Sequence, residues 1–208
     1  MVGKIRVLYF LEDRAQEGFI KALVARIGQE ESIATAALVH DVRSARGGSR
    51  IVQEFKTFIK DTRGFGVGDI DFLVVGIDGN CKGHEDRVRQ LKKYIKEDHP
   101  FSEKVVYAVP DPHIERWYLM DQRAVKAGMG LDRAPSMPAY KCKKAHYKQV
   151  LNQALKESNV TSLLGGTEYA EQIVNNIKDL GSLYQQNAGF KVFMEGLRRK
   201  FRESKTAE

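Results

Sequence analysis

Four short, almost continuously apolar segments dominate the first half of the sequence. They lie at residues 4–11, 33–42, 71–77 and 104–109. A helical pattern follows the first of them, with Phe19, Leu23 and Ile27 recurring every fourth residue. Strands that are covered on both faces read as continuous apolar runs, and their alternation with helices is typical of a parallel sheet. We therefore predict an α/β fold, a Rossmann-like three-layer sandwich with a mainly parallel central sheet.

The strand signals stop after Ile114, and the rest of the chain has helical patterns. These patterns cover residues 114–127, 141–157, 168–180 and 189–202. A chain of 208 residues suits one substantial core with an appendage. We expect residues 1–127 to form the α/β core and residues 128–208 to form a helical extension packed on it.

Composition argues against a membrane protein and favours a cytoplasmic one. No apolar run approaches the roughly 20 residues that a membrane helix needs, and the chain passes from Met1 directly into a strand pattern. The two cysteines, Cys81 and Cys142, are far apart and suggest reduced thiols, so we expect a cytoplasmic protein without membrane contact. The net charge of +7 favours a polyanionic partner.

Acidic residues follow three of the four predicted strands. Glu12 and Asp13 follow the first strand, Asp78 the third, and Asp111 with Glu115 the fourth. Ligands of open parallel sheets bind outside the carboxyl ends of the strands, and Mg²⁺ prefers carboxylate oxygens. Each acid alone is equally well explained as a helix cap. Their coincidence at three strand ends predicts a Mg²⁺ site that polarises a phosphodiester and activates water.

Three segments carry a family resemblance. Residues 11–17 read Leu-Glu-Asp-Arg-Ala-Gln-Glu, residues 77–80 read Ile-Asp-Gly-Asn, and residues 110–117 read Pro-Asp-Pro-His-Ile-Glu-Arg-Trp. Over roughly the first 120 residues, this arrangement resembles the Toprim-like proteins of uncharacterised bacterial and archaeal families, which are related to the nuclease domains of overcoming-lysogenization-defect proteins. The resemblance implies a Toprim-like core and a nuclease that binds Mg²⁺ or Mn²⁺ and cleaves nucleic acid, chiefly DNA. It also implies a role in defence against phage or mobile elements, with a separate ATPase subunit as a partner, and is compatible with a homo-oligomer.

The Toprim pattern maps onto individual residues. Glu12 matches the Glu after the first strand and Asp78 the first acid of the later pair, while Asn80 stands where the second acid is expected. Asn keeps an oxygen ligand but removes a charge, which Glu115 or Asp111 would have to supply. The resemblance thus implies a set of catalytic residues: Glu12, Asp78 and Glu115. The implied metal ligands are these three together with Asp13, Asn80 and Asp111. Asp13 replaces the usual Gly, and a catalytically inactive module that binds nucleic acid or protein remains the alternative.

Basic residues form the predicted nucleic-acid contacts. They are Arg14, Arg116, Lys141, Lys143, Lys144 and Lys148. Tyr140 and Tyr147 lie among the lysines, a combination that tracks a phosphate backbone and stacks on bases. A solvated helix face explains the same lysines equally well.

Two further features allow other ligands. Cys81 with His84 and Cys142 with His146 are ligand types that suit zinc, although their spacing is loose. Residues 47–50, Gly-Gly-Ser-Arg, precede a helix and could seat a phosphate, which would favour a nucleotide-binding regulatory domain. They lack the Walker pattern, so an intrinsic NTPase is disfavoured.

Replacing Lys143 and Lys144 together with Ala tests the basic segment. If both lysines contact phosphates, affinity for DNA should fall for every sequence, and the slope of log affinity against log salt should decrease by about 1 for each lysine. Dissociation constants measured over a salt series give this slope. An unchanged slope would assign the two lysines to a solvated face.

Overall fold

The computed structural model describes residues 4–45, 48–62 and 69–206 and contains one parallel sheet. Its strands are β1 (Ile5–Leu11), β2 (Leu38–Ser44), β3 (Phe72–Gly76) and β4 (Val105–Ala108). The strand order is β2-β1-β3-β4, and every neighbouring pair is parallel. The predicted α/β fold with a parallel central sheet is confirmed.

Helices connect the strands and fill the rest of the described chain. α1 (Arg14–Glu30), α2 (Ile51–Thr62) and α3 (His84–Lys92) follow the first three strands. After β4 come α4 (Glu115–Tyr118), α5 (Gln122–Met129), α6 (His146–Glu157), α7 (Ala170–Asn176) and α8 (Ala188–Thr206). Within the described ranges, no helix has the length and apolar character needed to cross a membrane.

The two faces of the sheet bury alternate residues of each strand. In β1, Val7 and Tyr9 pack into a cluster with α1 and the helices that follow β4, whereas Leu8 and Phe10 pack against α2 and α3. All five residues of β3 are buried. The sheet is therefore the middle of three layers, as expected for parallel strands that are covered on both sides.

Several predicted element boundaries are wrong, for local reasons. The second strand begins only at Leu38, because Thr35–Ala37 forms a 3-10 turn. The helix predicted over residues 114–127 is two helices, because the Asp121 carboxylate accepts hydrogen bonds from the N–H groups of Arg123 and Ala124 and starts α5.

The helices beyond residue 128 share one hydrophobic cluster with the sheet. The Phe201 ring of α8 meets the Phe72 ring of β3 edge to face, with their centroids 5.3 Å apart. Tyr147 and Leu151 of α6 belong to the same cluster. These helices thus form part of the layer that covers one face of the sheet.

Phe201→Ala should lower the free energy of unfolding by about 3–5 kcal/mol, because a fully buried ring leaves a cavity against β3. Val192→Ala, on the same helix but 51% exposed, is the matched control and should change it by less than about 0.5 kcal/mol. Denaturant unfolding measures both values. Equal effects of the two substitutions would contradict the packing of α8 on the sheet.

Candidate active site at the carboxyl edge of the sheet

Parallel strands bring the residues that follow β1, β3 and β4 to one edge. The backbone N–H of Glu12 donates to the Gly76 carbonyl of β3, so Glu12 extends the ladder beyond β1. Gly79 N–H donates to the Pro110 carbonyl, which aligns the turn after β3 with the segment after β4. As predicted from the sequence, Glu12 and Asp78 lie at the same edge. We call Glu12, Asp78 and His113 the carboxyl-edge site.

Asp78 connects all three strand ends through its hydrogen bonds. Its Oδ1 accepts from Gln16 Nε2 of α1 at 2.8 Å and from the backbone N–H of Ile114 at 3.1 Å, and its Oδ2 lies 3.0 Å from His113 Nδ1. Burial raises the pKa of Asp78 to about 6, against the lowering effect of the His113 hydrogen bond. That hydrogen bond in turn raises the pKa of His113. The hydrogen bond thus favours an ionised Asp78 beside a protonated His113, whereas burial opposes this charged state.

Glu12 lies directly beside Asp78. Its Oε2 accepts from the backbone N–H of Asp78 at 2.9 Å. Burial and the negative charge of Asp78 raise the pKa of Glu12 to about 7, although the N–H groups of Asp78 and Gly48 act in the opposite direction. Two carboxyl groups that resist losing both protons are the arrangement that a bound cation would relieve.

Asp111 has a different local role. Its Oδ1 accepts from the N–H groups of Cys81 and Gly83, and its Oδ2 accepts from the Tyr140 hydroxyl at 2.8 Å. A Cβ at Gly79 would lie 2.4 Å from Asp111 Oδ1, so only glycine allows this approach. The carboxylate of Asp111 thus fixes the turn after β3.

The remaining predicted ligands surround the carboxyl-edge site. The Asp13 carboxylate caps α1 by accepting from Gln16 N–H at 2.9 Å, and Glu115 lies half-buried in the first turn of α4. Asn80 is exposed and has a φ of 49°, a left-handed conformation that Asn adopts more readily than most residues. This turn geometry gives a structural reason for Asn at that position.

A disulfide joins Cys81 and Cys142, with their Cα atoms 5.7 Å apart. The expectation of two reduced thiols is therefore wrong, and so is the alternative of a zinc site with His84 and His146, because neither sulfur is a free thiolate. The sequence could not reveal the pairing, since 61 residues separate the two cysteines. Because the two cysteines are bonded, they do not favour a cytoplasmic location.

The disulfide places the basic segment at the same edge as the acids. Lys141 and Lys143 flank Cys142 and are exposed, and Lys144 and Lys148 are exposed beyond them. Arg14 is exposed at the first position of α1.

The two tyrosines of the basic segment, Tyr140 and Tyr147, differ in their exposure to solvent. Arg116 donates to the Asp111 carbonyl and lies 4.9 Å over the Tyr140 ring, which is half exposed. Tyr147 is buried in the main hydrophobic cluster, so the expectation that it stacks on a base is wrong. Of the two tyrosines, Tyr140 alone is accessible to a base.

Sequence reasoning missed three residues that contact Asp78. Gln16 is fully buried, His113 pairs with Asp78, and Arg87 donates from Nε to the Asp78 carbonyl at 3.0 Å. A signal existed for Gln16, because it shares a helix face with Phe19 and Ile20 and is the polar exception there. Gly76 leaves room for its amide, since a Cβ there would lie 3.0 Å from Gln16 Oε1.

The predicted nucleotide loop can be described only in part. Gly47 lies outside the described residues, and Gly48–Arg50 forms a 3-10 turn before α2.

In the described part of the chain, no group of three or more His, Cys, Asp or Glu side chains is arranged to hold a metal ion. No protein-family model, curated protein or solved structure matches the chain.

Glu12→Gln should change how stability depends on pH. A carboxyl whose pKa is raised in the folded state stabilises the protein while it is protonated, and this contribution is lost as pH rises from the ordinary value of 4.5 through about 7. The metal-free parent should therefore lose stability over this range, and Glu12→Gln should lose less. Thermal unfolding in chelator at pH 4.5 to 8 measures both.

Glu17→Gln, at a partly exposed position of α1 beside Lys21, is the matched control and should keep the parent's pH profile. Identical profiles for all three proteins would mean that Glu12 titrates normally.

Proposed function

We propose that this chain is a Toprim-like, Mg²⁺-dependent or Mn²⁺-dependent phosphodiesterase that acts on nucleic acid, chiefly DNA. The observation that carries the proposal is the contact of Glu12 with Asp78 at the carboxyl edge, beside a basic segment that the Cys81–Cys142 bond holds there. Acidic and basic groups in one place suit a substrate whose phosphates are anionic and whose cleavage uses a divalent cation.

The donor set fits a hard divalent cation. Glu12 and Asp78 are two carboxyls that follow the neighbouring strands β1 and β3, and burial raises the pKa of both. Residues that contribute further oxygen atoms in this proposal are Asp13, Asn80, Asp111 and Glu115. A bound Mg²⁺ would act as a Lewis acid on the phosphodiester and lower the pKa of a coordinated water molecule. Glu12 and Asp78 would hold the ion, and Gln16 together with Ile114 N–H orients the Asp78 carboxylate.

The cations define where the substrate backbone would lie. Lys141, Lys143 and Lys144 line the side of the edge next to the turn after β3, while Arg14 begins the helix after Glu12. Point charges of this kind position phosphates without reading base sequence. The exposed Tyr140 ring, with Arg116 over it, provides a stacking surface in the same segment.

A catalytically inactive module that binds nucleic acid or protein is the second candidate. The position of Asn80 favours it, because one expected negative charge is absent and the Asn80 amide donates to the Asp78 carbonyl at 3.4 Å. In either case a separate ATPase subunit and a role in defence against mobile elements belong to the proposal. So does a cytoplasmic location, although disulfides are rare there.

Asp78→Asn should abolish metal-dependent cleavage and preserve the fold. Asn keeps an oxygen for the Gln16 and Ile114 hydrogen bonds and removes the charge. Because the pKa of Asp78 is raised, the metal-free variant should be at least as stable as the parent at pH 8. Calorimetry with Mn²⁺, thermal unfolding in chelator, and nicking of plasmid and single-stranded DNA provide the measurements.

Asp86→Asn, on the exposed face of α3, is the matched control for the same chemical change and should bind metal and cleave like the parent. If the parent binds no Mn²⁺ but binds DNA, the inactive module is the better assignment. If Asp78→Asn binds metal and cleaves like the parent, Asp78 is not a ligand and the proposal fails.

A further inference from the structure

A short loop between α6 and α7 presents two leucines to solvent. Leu163 is 91% exposed and Leu164 is 43% exposed. Scattered exposed leucines are common on protein surfaces and need no explanation by themselves. These two leucines differ from scattered ones because their loop has a fixed conformation and is attached near the carboxyl-edge site.

Glu168 fixes the conformation of the loop. Its Oε1 accepts from the Ser162 hydroxyl and the Leu163 N–H at 2.7 Å each, and from the Leu164 N–H at 3.3 Å. Its Oε2 accepts from the Gly166 N–H at 3.0 Å. One carboxylate thus holds the backbone of the loop in a single conformation. We call Leu163 and Leu164 the leucine tip, and Leu163 projects from it into solvent.

Two glycines allow the chain to turn back after the leucines. Gly165 and Gly166 have φ values of 71° and 92°, which other residues rarely adopt. Gly166 also packs closely, since a Cβ there would lie 2.6 Å from Met129 Cε. The exposed leucines are thus part of an ordered turn whose other side is packed on the protein.

The base of the loop is attached next to the carboxyl-edge site. The Tyr118 hydroxyl lies 2.9 Å from the Ala15 carbonyl and 3.1 Å from the Thr167 carbonyl, so it joins the loop to the first turn of α1. Ala15 is three residues after Glu12, and Tyr118 is three residues after Glu115. The tip therefore projects from the same end of the molecule as the proposed metal ligands.

Cations flank the loop. Arg14 and Leu164 line one groove, with a volume of about 620 Å³, between α1 and α7. Lys148 of α6 also lies close to the loop, because a Cβ at Gly165 would be 3.2 Å from its Cε. Both cations are exposed, and neither forms an ion pair with another described residue. They are free to bind phosphates next to the leucine tip.

We infer that Leu163 is a wedge that inserts between stacked bases of duplex DNA whose phosphates contact Arg14 and Lys148. This inference rests on the proposed function, in which nucleic acid is the substrate. Proteins that bend or open a duplex insert single apolar side chains, including Leu, between base steps and unstack them. At this site the wedge would separate bases close to the phosphodiester that the carboxyl-edge site holds.

The size and charge of the tip favour DNA over other partners. Stable protein interfaces bury on the order of 1,000 Å² or more, much more than two leucines supply. Membrane-surface binding uses an amphipathic helix with a broad apolar face, whereas this tip is a tight turn. A base step needs only one inserted side chain, and the two cations near the tip match the phosphates that adjoin such a step.

The test compares Leu163→Ser with the parent on duplex oligonucleotides that contain 2-aminopurine, in chelator, so that binding is separated from cleavage. The parent should raise the 2-aminopurine fluorescence because the base is unstacked. Leu163→Ser should lose this rise and bind the duplex about tenfold more weakly, the effect of exposing one leucine side chain. Its melting temperature should be unchanged, because the side chain makes few contacts within the protein.

Val192→Ser is the matched control, because Val192 is an exposed apolar residue on α8 at a different surface. It should keep the fluorescence rise and the affinity of the parent. Sedimentation with phosphatidylserine vesicles provides a further comparison. If Leu163→Ser loses vesicle binding but keeps duplex binding, the tip is a membrane contact and the wedge is overturned.

Hydrolysis of bis(p-nitrophenyl) phosphate with Mn²⁺ separates the wedge from the proposed function, because this small diester has no stacked bases. The parent and Leu163→Ser should hydrolyse it equally. If both hydrolyse it and both bind and unstack the duplex alike, the wedge fails and the phosphodiesterase stands. If neither hydrolyses it but only Leu163→Ser loses duplex binding, the wedge stands and the catalytic proposal fails. A parent that does not unstack the duplex overturns the wedge.

Discussion

The carboxylate of Asp78 is the interaction on which the carboxyl edge of the sheet depends. It is almost fully buried and joins α1 through Gln16 and the segment after β4 through Ile114 and His113. The backbone N–H of the same residue donates to the Glu12 carboxylate and so joins the end of β1. A buried charge is tolerated only when hydrogen bonds or a counterion offset its desolvation. Here the hydrogen bonds are present, yet the pKa of Asp78 is still raised to about 6. The ionised carboxylate is therefore less favourable here than in water, even with these hydrogen bonds.

Two contacts connect the turn after β3 with the basic segment at the carboxyl edge. Asp111 fixes the turn after β3 and accepts from Tyr140, while the disulfide joins the same turn to Cys142. These contacts hold an otherwise irregular, lysine-rich segment against the acidic edge. Local structure thereby brings acidic and basic side chains together, although neither group of charges lies on the strands of the sheet.

The loop that carries the leucine tip is also held by a carboxylate that accepts hydrogen bonds from backbone N–H groups. Glu168 organises the loop as Asp111 organises the turn after β3, in each case through a carboxylate that accepts backbone N–H groups. Such carboxylates order irregular chain without adding apolar contacts. The helices beyond residue 128 cover the sheet with one face and present the tip and the basic segment at its carboxyl edge.

The sequence by itself determined the sheet and the place of its acids, because both depend on short-range patterns. Continuous apolar runs specify strands that are buried on both faces, and residues after parallel strands must share an edge. Only the tertiary structure decided which acids meet: Glu12 with Asp78, whereas Asp13 caps a helix and Asp111 fixes a turn. It also decided the bond between Cys81 and Cys142 and the burial of Gln16, because contacts across 61 or 62 residues of chain leave no periodic trace in a single sequence.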